Sequence, residues 1–209
     1  MILPGRRPAA GRGAAGIRRE TGTSLVEILA AAAVAVILAA VSVPAIGSQR
    51  GALQAAAAAR HVSGLVHAAR AEALARGVHV AMVFQPSPPD FRFALFADGN
   101  YNGVRNADMA DGSDRQVSTW VRLGDQFSGT RFGIVPGVTD PDSGTALTGS
   151  PLKIGGSGVL SFAPAGSATS GTLYVRGPAG QQYAIRILGS TGRCRVLRYH
   201  VVERRWYPS

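Results

Sequence analysis

The longest feature of the hydrophobic pattern is a nearly unbroken apolar run at residues 25–46, LVEILAAAAVAVILAAVSVPAI, whose single charge is Glu27. As an α-helix, this run is about 33 Å long at ~1.5 Å per residue, enough to cross the ~30 Å hydrocarbon core of a bilayer. It exceeds the ~7–15 apolar residues at the centre of a secretory signal peptide. Residues 23–46 are therefore predicted to form a membrane-spanning helix.

A second helical pattern follows in residues 47–77. Its apolar side chains recur mostly at helical spacing: Leu53, Ala57, Val62, Leu65, Val66, Ala69, Ala73 and Leu74. The abundance of alanine adds helix propensity, and Gly77 is a natural stop. We expect the first helix to continue into this amphipathic segment, whose apolar stripe requires a sheet to pack on.

Residues 78–209 carry strand and turn signals. Strands are predicted at residues 78–85, 91–97, 117–123, 130–135, 158–163, 172–176, 182–188 and 193–201. In one of them Tyr183 and Ile185 alternate with Ala184 and Arg186, which indicates an antiparallel sheet with one solvent-exposed face. The predicted fold class is α+β, with a long N-terminal helix, membrane-spanning in its first half and amphipathic in its second, packed on an antiparallel β-sheet or sandwich.

The charge balance is strongly basic: the formal net charge is +10, and Lys153 is the only lysine among the cations. An arginine-rich chain suits a nucleic-acid partner, but a GC-rich genome produces the same bias, so composition does not separate the two. Arginines also precede the apolar run, at residues 6–19, where they predict a cytoplasmic N-terminus and an exported C-terminal domain. Because Cys194 is the only cysteine, the chain forms no internal disulfide.

The start of the apolar run carries a specific motif. Residues 22–27, GTSLVE, follow a short basic segment and lead directly into the run, and this arrangement resembles a type IV prepilin cleavage site. The resemblance implies that prepilin peptidase cuts after Gly22 and methylates the new amine of Thr23, so that residues 1–22 are a leader. Thr23 departs from the phenylalanine that is usual in the family.

Glu27 is costly within an apolar segment, about 2.5–3.5 kcal/mol at the centre of a bilayer and less near its edge. A carboxylate kept at this cost indicates a partner charge. The resemblance to type IV pilins implies what that partner is, because the family's glutamate five residues into the mature chain coincides with Glu27. Its role in the family is to meet the N-terminal amine of a neighbouring subunit during assembly.

The domain resembles one group of pilin-like proteins, the GspH/FimT group. The stretches that carry this resemblance are residues 68–78, 98–114, 158–162, 169–174 and 183–193. It implies a minor subunit of a type II secretion pseudopilus or a type IV pilus, which has no catalytic activity and requires no cofactor. The implied partners are prepilin peptidase, other pseudopilins or pilins and the inner membrane, which the chain crosses once, with residues 78–209 in the periplasm.

One loop has the spacing of a calcium site. The oxygen ligands would come from Asp98, Asn100, Asn102, the Val104 carbonyl and Asp108. Alternate oxygen side chains followed by glycine are typical of calcium loops, but Met109 occupies the position at which an EF-hand has its bidentate glutamate. Asn, Asp and Gly also form tight turns without metal, so calcium and an Asx-turn loop both remain open.

The C-terminal segment is rich in arginine and aromatic residues. Its candidate nucleic-acid ligands are Arg193, Arg195, Arg198, Arg204 and Arg205. Phosphate contacts and base stacking on such a segment suit a minor pilin that binds DNA for uptake, whereas a solvated strand face explains the same charges and is favoured. The histidines lack metal-ligand spacing and no Ser/His/Asp arrangement emerges, so no enzyme is predicted.

Overall fold

The computed structural model describes the backbone of residues 24–209, and side chains throughout this range except at residues 41–48. Contacts within the chain divide it into two units, Met1–Val43 and Pro44–Ser209. Helix α1 covers Leu25–Arg76. It ends as predicted, because Gly77 adopts a φ of +69°, which glycine tolerates best, and its N–H donates to the Ala73 carbonyl at 3.0 Å.

The described helix residues of the first unit are exposed along their length. Leu25 is 75% exposed, and Val26, Leu29 and Val36 are also more than half exposed. Within the part of the chain that the structure describes, no helical stretch combines the length and the apolarity that a membrane crossing requires.

The second unit contains two antiparallel sheets. Its strands are β1 (Val80–Ser87), β2 (Asp90–Ala97), β3 (Arg115–Gln116), β4 (Val121–Arg122), β5 (Arg131–Phe132), β6 (Leu152–Lys153), β7 (Val159–Phe162), β8 (Gly171–Arg176), β9 (Gln182–Leu188), β10 (Arg193–His200) and β11 (Arg205–Pro208). The first sheet has the order β3-β2-β1-β7, with β4 also paired to β2, and the second has the order β11-β10-β9-β8-β5, with β6 also paired to β8. Two short helices, α2 (Asn106–Asp111) and α3 (Leu123–Gln126), lie in the connections.

The main core joins the second half of α1 to both sheets. Val62 and Val66 of the helix pack in one cluster with Leu160 and Phe162 of the first sheet and with Ile185 of the second, and all of them are fully buried. Each such side chain contributes about 1.5–3 kcal/mol when it leaves water. The prediction of an α+β fold, with an N-terminal helix packed on antiparallel sheets, is therefore confirmed.

The apolar stripe of the helix differs from the predicted one. Leu53 and Leu74 are 70% and 46% exposed, so their assignment to the stripe was wrong. Alanines dominate the buried face, at positions 55, 58, 59, 69 and 73. Ala69 and Ala73 were predicted there, whereas the predicted Ala57 is exposed. At Ala55 the reason is close approach: a methyl group on Gly177 would lie 2.6 Å from its Cβ, which leaves no room for a leucine.

The expected solvent-exposed sheet face is also absent in strand β9. Ile185 points into the main core, while its neighbour Ala184 is equally buried on the opposite face. There it packs in an outer cluster with Tyr174, Tyr199 and Trp206, because the connection at residues 134–147 folds over the second sheet. An alternating pattern does not reveal a cover made of loops, so this prediction was wrong.

The least regular segments account for the remaining differences. The strand predicted at residues 117–123 is limited to Val121–Arg122, because Leu123 begins α3 and the Asp125 carboxylate accepts the Arg122 N–H at 3.3 Å. Strands β3, β6 and β11 and helix α2 were not predicted. Elements of two to six residues are too short to produce a recognisable period.

Candidate functional site

The N-terminal motif, residues 22–27, overlaps the start of α1. The Ser24 carbonyl accepts the N–H groups of Glu27 at 2.9 Å and Ile28 at 3.1 Å, which opens α1. Glu27 lies in the first turn, where a carboxylate interacts favourably with the helix dipole. Gly22 and Thr23, the predicted cleavage and methylation residues, lie outside the described residues.

Glu27 occupies an apolar, uncovered surface. Its neighbours Leu25, Val26, Ile28 and Leu29 are all exposed. Among the described residues, the ion pairs join Glu72 to Arg76, Arg122 to Asp125, and Asp142 to Arg186. Within residues 24–209 Glu27 therefore has no cation of its own, and both its charge and the surrounding apolar surface are available to a partner.

The acidic loop is organised around Asp98, a buried carboxylate. Its Oδ1 accepts the Asn100 N–H at 3.1 Å and its Oδ2 accepts the Gly103 N–H at 2.7 Å. The Asn100 side-chain oxygen accepts the Asn102 N–H at 3.3 Å. The contacts to the N–H groups of Asn100 and Asn102 are Asx turns, in which a side-chain oxygen accepts from the backbone two residues on, and the contact to Gly103 closes the loop over a longer span.

A second buried carboxylate, Asp114, closes the loop. Its two oxygens accept the N–H groups of Gly99 at 3.2 Å and Arg105 at 2.8 Å. The Asp114 N–H donates to the Asp108 carbonyl at 2.9 Å, while the Asp108 carboxylate accepts the Asn100 side-chain amide at 3.3 Å. Backbone donors therefore engage both oxygens of Asp98 and both oxygens of Asp114.

Among residues 24–209 no cluster of three or more acidic, His or Cys side chains is placed to hold a metal ion. The side chain of Val104, whose carbonyl was one of the five candidate ligands, is buried in the outer cluster of the first sheet. This geometry favours the Asx-turn interpretation of the loop, and calcium binding there stays a prediction.

Replacing Asp98 by asparagine tests both interpretations of the loop. The amide group would face a backbone N–H with a donor instead of an acceptor, and an unsatisfied buried donor costs about 1–3 kcal/mol. We expect a lower melting temperature for Asp98→Asn, with or without calcium, and little change for the exposed control Asp111→Asn. Calorimetric titration of the full-length protein with calcium provides the second measurement. A calcium-dependent rise in melting temperature that Asp98→Asn removes would support the cation instead.

The five C-terminal arginines do not form one surface. Successive side chains of a strand point to opposite faces, and in β10 Cys194 and Val196 pack toward the main core whereas Leu197 and Tyr199 pack in the outer cluster. Arg198 accordingly shares the core side with Arg205, whose register partner is His200. Arg193 and Arg195 lie on the outer side, and Arg204 lies in the turn before β11.

The outer pair of arginines borders a groove of about 440 Å³. Arg195 is directly opposite Arg186 of β9 in the sheet register, a like-charge pairing that is unfavourable by itself. Arg186 is neutralised by Asp142 at 2.6 Å. The predicted nucleic-acid arginines therefore lie on two faces of the sheet. On the outer face, Asp142 already supplies a carboxylate, which pairs with Arg186.

Cys194 has two polar neighbours on α1. Its Sγ lies 3.1 Å from the Ser63 Oγ and 3.3 Å from the His67 Nε2. Burial raises the pKa of the thiol, against the hydrogen bond with Ser63, which lowers it. A neutral thiol is a weak nucleophile, and this arrangement therefore favours a packing role. The contact was not visible in the sequence because the partners are far apart along the chain.

The comparison with family models identifies the protein family. The family described as type II transport protein GspH matches residues 58–192, more than half of the chain. The chain belongs to the GspH family. No curated protein and no solved structure matched it.

Membership of the GspH family confirms the resemblance drawn from the sequence and supports a role as a type II secretion pseudopilin that associates with other pseudopilins. The matched residues include the acidic loop and strands β1 to β9. The motif at residues 22–27 and strands β10 and β11 lie outside them. What the GspH family shares is therefore mainly the packed domain.

A further surface of this GspH-family protein escaped the sequence prediction. The last predicted strand ends at Val201, but Val201 and Val202 both lie in the exposed turn between β10 and β11. Two adjacent β-branched residues favour a strand, which obscured the turn. The signal that remained was the run of charges at residues 203–205.

Proposed function

We propose that the protein is a minor pseudopilin, which enters a pilus-like filament through its N-terminal helix after removal of residues 1–22. The observation that carries this proposal is the surface of the first unit, where a single carboxylate, Glu27, stands among exposed apolar side chains. GspH-family membership supports the same role.

Covering the apolar surface favours insertion of the helix into the membrane. Burying one Val, Leu or Ile side chain contributes about 1.5–3 kcal/mol, and the exposed helix has many of them, including Leu25, Ile28, Val34 and Ile37. Lipid covers this surface before assembly, and neighbouring helices cover it in the filament. The protein is thus an inner-membrane protein that crosses once, with a cytoplasmic N-terminus and a periplasmic domain.

Pairing of Glu27 with a neighbouring subunit then fixes the position of one helix along the other. In an apolar bundle a lone carboxylate is strongly penalised, whereas pairing with a cation offsets the penalty. The Thr23 amine of a neighbouring subunit is the cation that the cleavage would create. This role needs no catalytic residue and no cofactor, and it makes prepilin peptidase and other pseudopilins the essential partners.

The mature N-terminus tests this function. Mass spectrometry of membranes from cells with and without prepilin peptidase should detect an N-terminal peptide that begins at Thr23 and carries one added methyl group, only when the peptidase is present. A Gly22→Val variant serves as the matched control and should keep its leader in both strains. An intact leader on the unaltered chain in both strains would contradict the proposal.

The alternative is a minor pilin that binds DNA through its C-terminal arginines. It predicts salt-sensitive DNA binding by the full-length protein, lost when Arg198, Arg204 and Arg205 are replaced by glutamine. Replacing Arg193 and Arg195 provides a control on the opposite face. The division of the cluster between two faces gives this alternative less support than the filament role.

A further inference from the structure

The turn between β10 and β11 is unusually apolar for its position. Val202 is 98% exposed and Val201 is 66% exposed, although turns of this kind typically carry polar residues or glycine. Exposed arginines surround the pair: Arg198, Arg204 and Arg205. We call residues 198–205 the hairpin tip.

The single carboxylate of the hairpin tip is already engaged. The Tyr207 hydroxyl hydrogen-bonds to Glu203, which raises the pKa of Tyr207. The tyrosine ring also contacts the His200 ring at 4.8 Å between centroids. The arginines of the tip therefore have no carboxylate among the ion pairs of the described residues, and they remain available for external anions.

The hairpin tip lies at the end of the second sheet where α1 enters the domain. Ala179 and Gly180, in the turn between β8 and β9, border a depression of about 230 Å³ together with Val201 and Val202. A methyl group on Gly51 would lie 3.0 Å from the Cγ of the adjacent Pro178. Gly51 and the tip thus flank the same turn.

The other end of the sheet is marked by Arg70, further along the helix. Its Nε donates to the Gly166 carbonyl at 3.3 Å, and a methyl group on Gly192, in the turn between β9 and β10, would lie 2.8 Å from its Cδ. The helix therefore runs along the sheet from the hairpin tip toward the β9–β10 turn. Leu188 lies beside that turn and is 59% exposed. It therefore marks the end of the second sheet that is distant from the hairpin tip.

Chain length brings the tip close to the proposed membrane segment. Only residues 47–50 separate Ile46, the last residue of the apolar run, from Gly51. Whatever path they follow, they span at most about 18 Å at ~3.6 Å per residue. The end of the domain that carries Val201 and Val202 is consequently held near the point where the chain leaves the bilayer.

From this placement we infer that the hairpin tip contacts the outer surface of the membrane, with Val201 and Val202 at the boundary of the headgroups and acyl chains and the arginines on lipid phosphates. This inference rests on the proposed membrane anchoring. Apolar side chains flanked by cations are the chemistry of interfacial segments, and arginine is suited to phosphate because its guanidinium donates two parallel hydrogen bonds. The contact would hold the domain against the bilayer before the subunit enters a filament.

Depth-dependent fluorescence quenching tests the contact in the full-length chain. Cys194→Ala leaves the chain free of cysteine, and Val202→Cys, Leu188→Cys or Val36→Cys then introduces one site for an environment-sensitive label. The labelled proteins are placed in vesicles of phosphatidylcholine and phosphatidylglycerol that contain lipids with a nitroxide near the headgroup or deep in the acyl chain. We expect several-fold stronger quenching by the shallow nitroxide at position 202 than at position 188, and quenching by the deep nitroxide at position 36.

The three labels separate the possible failures. Quenching at position 36 but not at position 202 overturns the hairpin contact and leaves the anchor intact. No quenching at position 36 contradicts the anchor itself, and with it the proposed function. Protection of position 202 from a water-soluble quencher without quenching by lipid would identify a protein partner and also overturn the inference. Replacing Arg198, Arg204 and Arg205 by glutamine should reduce the signal at position 202, and an unchanged signal would refute their part in the contact.

Discussion

Replacing Glu27 by glutamine is expected to exclude the protein from filaments while leaving the domain folded and the leader correctly removed. Glutamine keeps the size of the side chain but removes the charge that the proposed pairing with a neighbour's Thr23 amine requires. The amine would then enter an apolar bundle without a counter-charge, and breaking a buried pair by removing one partner costs about 3–5 kcal/mol. At 1.4 kcal/mol per factor of ten, this predicts a loss of incorporation of at least about a hundredfold.

The measurement is the amount of the variant in sheared filament fractions relative to membranes. Glu72→Gln is the matched control, because Glu72 forms an exposed ion pair with Arg76 on the same helix, and exposed pairs contribute little. Restoration of assembly by Glu27→Asp would support the role of the charge. Filaments with normal amounts of Glu27→Gln would show that the carboxylate has another purpose.

Replacing Phe162 by alanine is expected to produce the largest loss of domain stability. Phe162 is 0% exposed in the main core and lies in β7, in register with Val80 of β1. Removal of a buried phenylalanine typically costs 3–5 kcal/mol through lost burial and the cavity left behind, about the size of the whole stability of a marginal domain. For a domain of this size, the melting temperature should fall by roughly 6–20 °C.

Circular dichroism during heating of the full-length protein in detergent measures this effect. Leu188→Ala is the control, because Leu188 is largely exposed and surface substitutions usually change stability by less than about 0.5 kcal/mol. Equal melting temperatures for Phe162→Ala and the unaltered protein would mean that the core does not depend on this contact. The prediction concerns the domain alone and is independent of its function.

The two units of the chain differ in what their apolar side chains pack against. Those of the first unit are exposed along its described residues, and under the proposed function lipid or neighbouring helices cover them. The second unit has its own core between α1 and the two sheets, which Val62, Val66 and Phe162 help to form. The GspH match at residues 58–192 lies entirely within the second unit.

Much of the fold was predictable because its signals are local. The helical period through residues 47–77, the stop at Gly77 and the positions of β1, β2, β8, β9 and most of β10 follow from side-chain spacing and turn residues. Candidate site residues were predictable only where a motif marks them. Glu27 was singled out because a charge is conspicuous in an apolar run, and its role stays a prediction, whereas Val201 of the exposed hairpin tip was wrongly assigned to the last strand.

By itself, the sequence determined the class of the protein: an apolar run with one carboxylate, an amphipathic continuation and a β-rich domain of the GspH type. Tertiary structure alone decided which residues share a surface. It divided the C-terminal arginines between two faces and engaged the carboxylates of Asp98 and Asp114 with backbone donors. It also left Leu53 and Leu74 of the predicted helix stripe exposed, whereas Ala55, Ala58 and Ala59 are buried. The physical reason is that periodicity records which side of its own element a side chain occupies, but strand register and loop packing determine what it meets there.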